Sequence, residues 1–117
     1  MPKAPVVLIV DDEQDLVSLL EMRLKSEGYK PLGVYTGKDA VKALESRSID
    51  LVLLDLMLPD MDGIEVCRKI RANPEYNKIP ILILSAIGQK EMVVQGLDEG
   101  AEDYVTKFPS AKFFAGK

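Results

Sequence analysis

The sequence predicts an α/β fold built on a doubly wound, five-stranded parallel sheet, and two observations carry that prediction. The first is a set of three short apolar runs, Val6 to Val10, Ile49 to Leu54 and Ile79 to Leu84, rich in valine, isoleucine and leucine. Such runs suit strands buried on both faces. The second is that the apolar spacing between the runs changes to a helical period, and strands alternating with helices of this length form a parallel sheet with right-handed crossovers.

Taken in order, Val6-Val7-Leu8-Ile9-Val10 is a strand closed by Asp11-Asp12. From Asp12 onward Leu16, Leu19, Leu20 and Leu24 share one helical face, and Gly28 supplies the C-terminal cap. Lys30 to Tyr35 is a weaker strand, and Thr36-Gly37 opens a helix carrying Ala40, Val41 and Leu44. Ile49 to Leu54 is the second strong strand and ends at Asp55. Leu58-Pro59-Asp60-Met61-Asp62-Gly63 has the composition of a loop, with Asp60 a solvated turn residue and Asp62 a helix cap. Val66, Cys67 and Ile70 mark the next helix, which Asn73-Pro74 breaks. Ile79 to Leu84 is the third strong strand and ends at Ser85-Ala86. Val93, Leu97 and Ala101 give one face of a helix stopped near Gly100, followed by a short strand from Asp103 to Thr106.

At 117 residues the chain is long enough for one domain with a real core and too short for two, so 1–117 is expected to be a single domain with no effector domain. A net charge of −4, without a basic run, gives no basis for direct nucleic-acid binding. No apolar stretch approaches the roughly 20 residues that span a bilayer, and the N-terminus lacks a signal-peptide pattern. One cysteine, Cys67, permits no internal disulfide; it reads as a small helix-face hydrophobe, and a cytoplasmic location is expected. The absence of histidine removes imidazole acid-base chemistry and the common zinc sites.

In open parallel sheets, ligands bind in the crevice beyond the carboxyl ends of the strands. Asp11 and Asp12, Asp55 and Lys107 all fall at such ends. Carboxylates pressed together repel unless a cation joins them. Mg²⁺ is such a cation: it accepts carboxylate oxygens and retains several waters. A lysine aimed at the same point is useful when an anion arrives there. The arrangement predicts a Mg²⁺-assisted site for a phosphoryl group. Helix capping would also employ an aspartate at 11 or 12, but a cap needs one aspartate rather than two facing a third. Ser85 by its own position says little, and Tyr104 fits a static half-buried ring as well as a moving one.

Val-Asp-Asp-Glu at 10–13, Leu-Leu-Asp-Leu-Met-Leu-Pro-Asp-Met-Asp-Gly at 53–63, Leu-Ser-Ala at 84–86 and Tyr-Val-Thr-Lys at 104–107 together resemble the receiver domain of bacterial two-component response regulators. The likeness runs from about Val6 to Lys107. It implies a flavodoxin-like sheet of order 2-1-3-4-5. It also implies that Asp55 is the phosphoacceptor, charged from a phosphohistidine on a sensor histidine kinase or phosphotransfer protein. Asp12 would bind Mg²⁺ directly, Asp11 directly or through water, with Asp55 and the backbone carbonyl of Met57 completing the protein ligands. Ser85 would hydrogen-bond a phosphoryl oxygen and Lys107 would pair with it. Tyr104 would be the switch aromatic that turns inward as Ser85 moves. The resemblance implies no enzymatic activity beyond phosphorylation and dephosphorylation of the domain's own aspartate, and a downstream protein partner that the sequence leaves unnamed. Met57 and Ile87 would flank the hydrolytic water path, and their apolar side chains imply slow loss of phosphate.

The sequence also departs from this pattern. Where receivers carry Lys-Pro, this chain has Lys107-Phe108-Pro109, which moves the site of any cis bond. A fifth helix is expected to be short or missing, because ten residues follow Lys107 and a mean helix takes about 11–12. If Phe113 and Phe114 leave the underlying apolar surface open, self-association through it is expected. Two rival readings stand beside the switch: a pseudo-receiver that binds proteins without being phosphorylated, and a small phosphatase with Asp55 as nucleophile. The phosphatase would need a general acid near Asp55, where Met57 stands.

Overall fold

The computed structural model describes residues 3–86 and 88–107. Its elements run β1 (Val6–Val10), α1 (Gln14–Ser26), β2 (Lys30–Val34), α2 (Gly37–Ser46), β3 (Leu51–Asp55), α3 (Gly63–Ala72), β4 (Ile81–Ser85), α4 (Lys90–Asp98) and β5 (Asp103–Thr106). The five strands form one sheet in the order β2-β1-β3-β4-β5, every neighbouring pair parallel. This is the flavodoxin-like architecture the motifs implied. The question of a fifth helix, and with it the Phe108-Pro109 bond and the phenylalanine pair, lies outside the described residues.

Alternation along each strand divides the core into two layers. Leu8 and Val10, Val52 and Leu54, and Ile81 and Ile83 face one side, where they meet Ala40, Ala43 and Leu44 of α2, Ile64, Val66, Cys67 and Ile70 of α3, and Val93 of α4. Val7, Ile9, Leu53 and Leu84 face the other side, under Val17, Leu20 and Leu24 of α1. β1, β3 and β4 are thus buried on both faces, which is why their sequences read as unbroken apolar runs. β2 is an edge strand, so Pro31 interrupts no inner ladder.

Several boundaries differ from the sequence expectation. α1 begins at Gln14 with Glu13 as its N-cap residue, and its most buried side chain is Val17, whereas Leu19 is 49% exposed. The sheet-facing stripe is Val17, Leu20 and Leu24, spaced i, i+3, i+7, and Leu19 falls off that stripe. Ala101 is buried but lies beyond the end of α4. Ile49 and Ile79 precede their strands instead of starting them. Gly28 is the cap expected for α1: at φ +90° it lets its own N–H reach Lys25 O (3.1 Å) while the N–H of Tyr29 reaches Leu24 O (2.9 Å). That pair of bonds is a Schellman motif, and glycine adopts the required left-handed backbone without a Cβ penalty.

Candidate functional site

The register of the sheet builds the site. Val10 lies beside Leu54, so Asp11 and Asp55, the next residues of each chain segment, emerge side by side. Asp55 lies beside Leu84 and Ser85 beside Thr106, which brings Ser85 to the same rim and releases Lys107 just past the end of β5. The backbone N–H of Lys107 donates to Ser85 O at 2.6 Å and fixes that position. Asp11, Asp55 and Ser85 are the buried polar and charged side chains among the described residues.

The Lys107 ammonium reaches inward to Asp11 Oδ2 (2.8 Å), Asp55 Oδ2 (3.2 Å) and Glu13 Oε1 (3.4 Å). Its approach to Asp55 is a hydrogen bond. At Asp11 the charges attract, but Oδ2 has no well-aligned hydrogen-bond donor and no other partner. The other Asp11 oxygen, Oδ1, accepts the N–H of Glu13 at 2.9 Å and so steadies the start of α1. Asp11 therefore performs the turn role open to any aspartate with one oxygen while the other faces the crevice. Asp55 Oδ1 accepts the N–H of Met57 at 3.1 Å.

Burial raises the Asp55 carboxyl above its ordinary 3.8; the Met57 N–H opposes that shift, the neighbouring charge of Asp11 adds to it, and Lys107 pulls back. For Lys107, burial favours the neutral amine, but Asp11 and Asp55 outweigh it and push the ammonium up to about 12. At neutral pH the lysine is charged. Oxygens from Asp11, Asp12 and Asp55 lie within 4.8 Å of one another, Asp12 being exposed at the mouth and the other two buried. Three carboxylates thus converge, with the Lys107 ammonium against two of them, and such a cluster of oxygens suits a hard divalent cation.

The loop after Asp55 is held by contacts the sequence reading did not contain. Asp60 is exposed in its turn, as expected, and it also does more: its two oxygens accept the N–H groups of Gly37 and Lys38, both at 2.9 Å, at the start of α2. Those bonds, Gly37 first, lower its pKa. Asp62 caps α3 through the N–H of Ile64, as expected. Gly63 sits against the chain it follows: a Cβ there would fall 2.5 Å from Leu56 Cα and 2.6 Å from Asp55 O. Only glycine lets α3 begin this close to the acceptor strand.

Tyr104 is 48% exposed on β5. With Ser85, Gln89, Val93, Leu97 and Thr106 it borders a cavity of about 510 Å³ between α4 and β5. Glu13 and Gln89 also belong to the site's surroundings and were missed; only the position of Glu13, directly after the aspartate pair, offered a signal. Ile87 lies outside the described residues.

The model of one family, described as the response regulator receiver domain, matches residues 7–112. Among solved structures, the receiver domain of a signal transduction histidine kinase from Syntrophus aciditrophicus is 32% identical, the match covering 97% of this chain and 86% of that one, with a TM-score of 0.82. The N-terminal domain of a response regulator receiver protein from Methanoculleus marisnigri JR1 is 31% identical over 95% of this chain and 89% of that one, with a TM-score of 0.81. A two-component response regulator from Clostridium difficile is 26% identical over 96% and 90%, with a TM-score of 0.82. The chain belongs to the response regulator receiver family of two-component systems. Receivers bind Mg²⁺ at an acidic pocket, interact with histidine kinases or phosphotransfer proteins, and are generally not enzymes. Among the described residues of this chain no helix is long and apolar enough to cross a membrane.

Proposed function

We propose that this receiver is an active phosphoacceptor in a phosphorelay, with Asp55 taking a phosphoryl group from a phosphohistidine on a sensor kinase or phosphotransfer protein. The observation that carries the reading is the buried pair Asp11 and Asp55 sharing the Lys107 ammonium at 2.8 and 3.2 Å. A buried carboxylate pair raises the energy of the site, and a rim that faces solvent on one side gives it chemical use.

A carboxylate oxygen of Asp55 attacks phosphorus as the bond from phosphorus to the imidazole nitrogen breaks, and the bonding pair leaves with that nitrogen. Lys107 turns one N–H toward the phosphoryl oxygens and offsets their charge. The Ser85 hydroxyl donates to another phosphoryl oxygen, which draws the β4–α4 segment inward and opens room for Tyr104 to follow. Asp11, Asp12, Asp55 and the carbonyl of Met57 are the groups that would hold Mg²⁺, which when bound neutralises charge on the transferring group. A population shift follows because the inward state binds the phosphoryl group better. The pseudo-receiver and phosphatase readings gain support from no observation on the site.

The test is intact mass after incubation with Mg²⁺ and acetyl phosphate. The parent is expected to gain one phosphoryl group and Asp55→Ala none; an unmodified parent, folded and binding Mg²⁺, would overturn the proposal. Loss of phosphate is expected to be slow, since Met57 brings no polar group to orient water. Met57→Asn should quicken it, and a lifetime equal to or longer than the parent's would count against that account.

A further inference from the structure

The side chain of Gln89 joins the two chain segments that leave the site. Its Oε1 accepts the backbone N–H of Ala86, the residue after Ser85, at 2.8 Å. Its Nε2 donates toward Sδ of Met57, the second residue after Asp55, with which it is in direct contact. The first bond orients the amide: with oxygen committed to Ala86, the NH₂ group must face away, toward the sulfur. Gln89 is the N-cap residue of α4, yet its side chain makes no capping bond to that helix. The group that could have served the helix end spans the two loops instead. Met57 is 56% exposed, and a long flexible thioether at that exposure would ordinarily sample many rotamers. Meanwhile its backbone N–H is fixed on Asp55 Oδ1 at 3.1 Å, so the root of the side chain adjoins the acceptor carboxylate.

We propose that Gln89 is a positioning residue that straps Met57 across the approach to Asp55 and thereby lengthens the life of the aspartyl phosphate; this deepens, and rests on, the phosphoacceptor reading. Hydrolysis requires a water in line behind the bond between phosphorus and the Asp55 oxygen. A tethered Met57 side chain obstructs that approach, and a released one swings into solvent. The same strap ties the segment after Ser85, so inward movement of that segment on phosphorylation must carry Gln89 with it or break the bond to Ala86.

The test compares the parent with Gln89→Ala, Met57→Leu and the double variant. Met57→Leu keeps the bulk and removes the sulfur acceptor. In the unphosphorylated proteins, amide exchange of Ala86 is followed by NMR; in the phosphorylated ones, the decay of the acyl phosphate. Gln89→Ala is expected to speed Ala86 exchange and to shorten phosphate lifetime about threefold, the scale of one modest hydrogen bond. Met57→Leu should shorten the lifetime similarly, and the double variant no further than either. Parental lifetimes in both single variants, or strictly multiplicative effects in the double, overturn the strap alone. A parent that never acquires phosphate overturns the functional reading beneath it, and Ala86 exchange unchanged by Gln89→Ala removes the strap even then.

Discussion

At the end of β3, Asp55 ionises against desolvation and beside another carboxylate, and the Lys107 ammonium does not fully offset the two. Its pKa in the folded protein therefore lies above the ordinary 3.8. The sign follows directly. The folded state holds this proton to higher pH than the unfolded chain does, so stability falls as pH rises from about 3.8 through the raised value and stays reduced above it. Asp55→Asn preserves shape and removes the charge. In EDTA at pH 7 the variant is expected to melt at a higher temperature than the parent, with the gain shrinking toward pH 4; an equal or lower melting temperature at pH 7 would refute the assignment. Lys107, also raised, has the same sign, stability falling as pH rises, but here the charged form is the one the fold favours. Its contribution is complete below about 10.5 and disappears as pH passes its raised value near 12. Cys67, fully buried, has its thiol pushed up to about 11, chiefly by burial, so it should resist thiol reagents until the protein unfolds.

Among the elements, α3 is the one most tied to its neighbours by polar contacts. Near its C-terminal end, Arg71 donates to the carbonyls of Gly100 (2.9 Å), Asn77 (3.0 Å) and Ile79 (2.8 Å), and to Glu102 Oε1 (2.7 Å). One guanidinium thereby holds the turns that lead into both β4 and β5. The side chain is 20% exposed, so these bonds are better shielded than a surface ion pair. Arg71→Ala is expected to cost roughly 2–3 kcal/mol, because it removes three part-buried bonds to backbone carbonyls together with the pairing to Glu102. Urea unfolding would measure it, and a loss below about 0.5 kcal/mol would show the staple to be decorative. The contrast with what the sequence revealed is instructive here. β1, β3 and β4 were legible because burial on both faces leaves an apolar run, and Asp55 stood out because a charge closes one. Arg71, Asp60 and Gln89 were not, because each serves backbone groups or a sulfur far along the chain, and such bonds leave no periodic trace. Leu19 was misread because leucine favours helices at any position, while only the fold decides which stripe faces the sheet.

For the molecule as a whole, the site sits where all the inner strands end, so binding there is linked to the stability of the entire sheet. A ligand present at about a hundred times its Kd adds about 2.7 kcal/mol when it binds only the folded state. Saturating Mg²⁺ should thus raise the melting temperature of the parent by several degrees and that of Asp12→Asn by much less; no rise in the parent would argue against an ion held by this cluster. The family and the sheet order were both legible in the motifs, since those motifs sit at strand ends. The aim of Lys107 was not legible from its sequence neighbours alone, because the bond from its N–H to Ser85 O belongs to the docking of β5 on β4.

That docking bears on how the protein comes to be folded at all. Asp11 and Asp55 are brought together by the pairing of β1 with β3, while their counter-charge arrives from a residue 52 positions after Asp55. A chain that has joined its inner strands but not yet laid down β5 holds two desolvated carboxylates with no lysine between them. Closing the far edge of the sheet is therefore also the event that settles its electrostatic debt, and late folding of this domain should feel magnesium and pH more strongly than early collapse does.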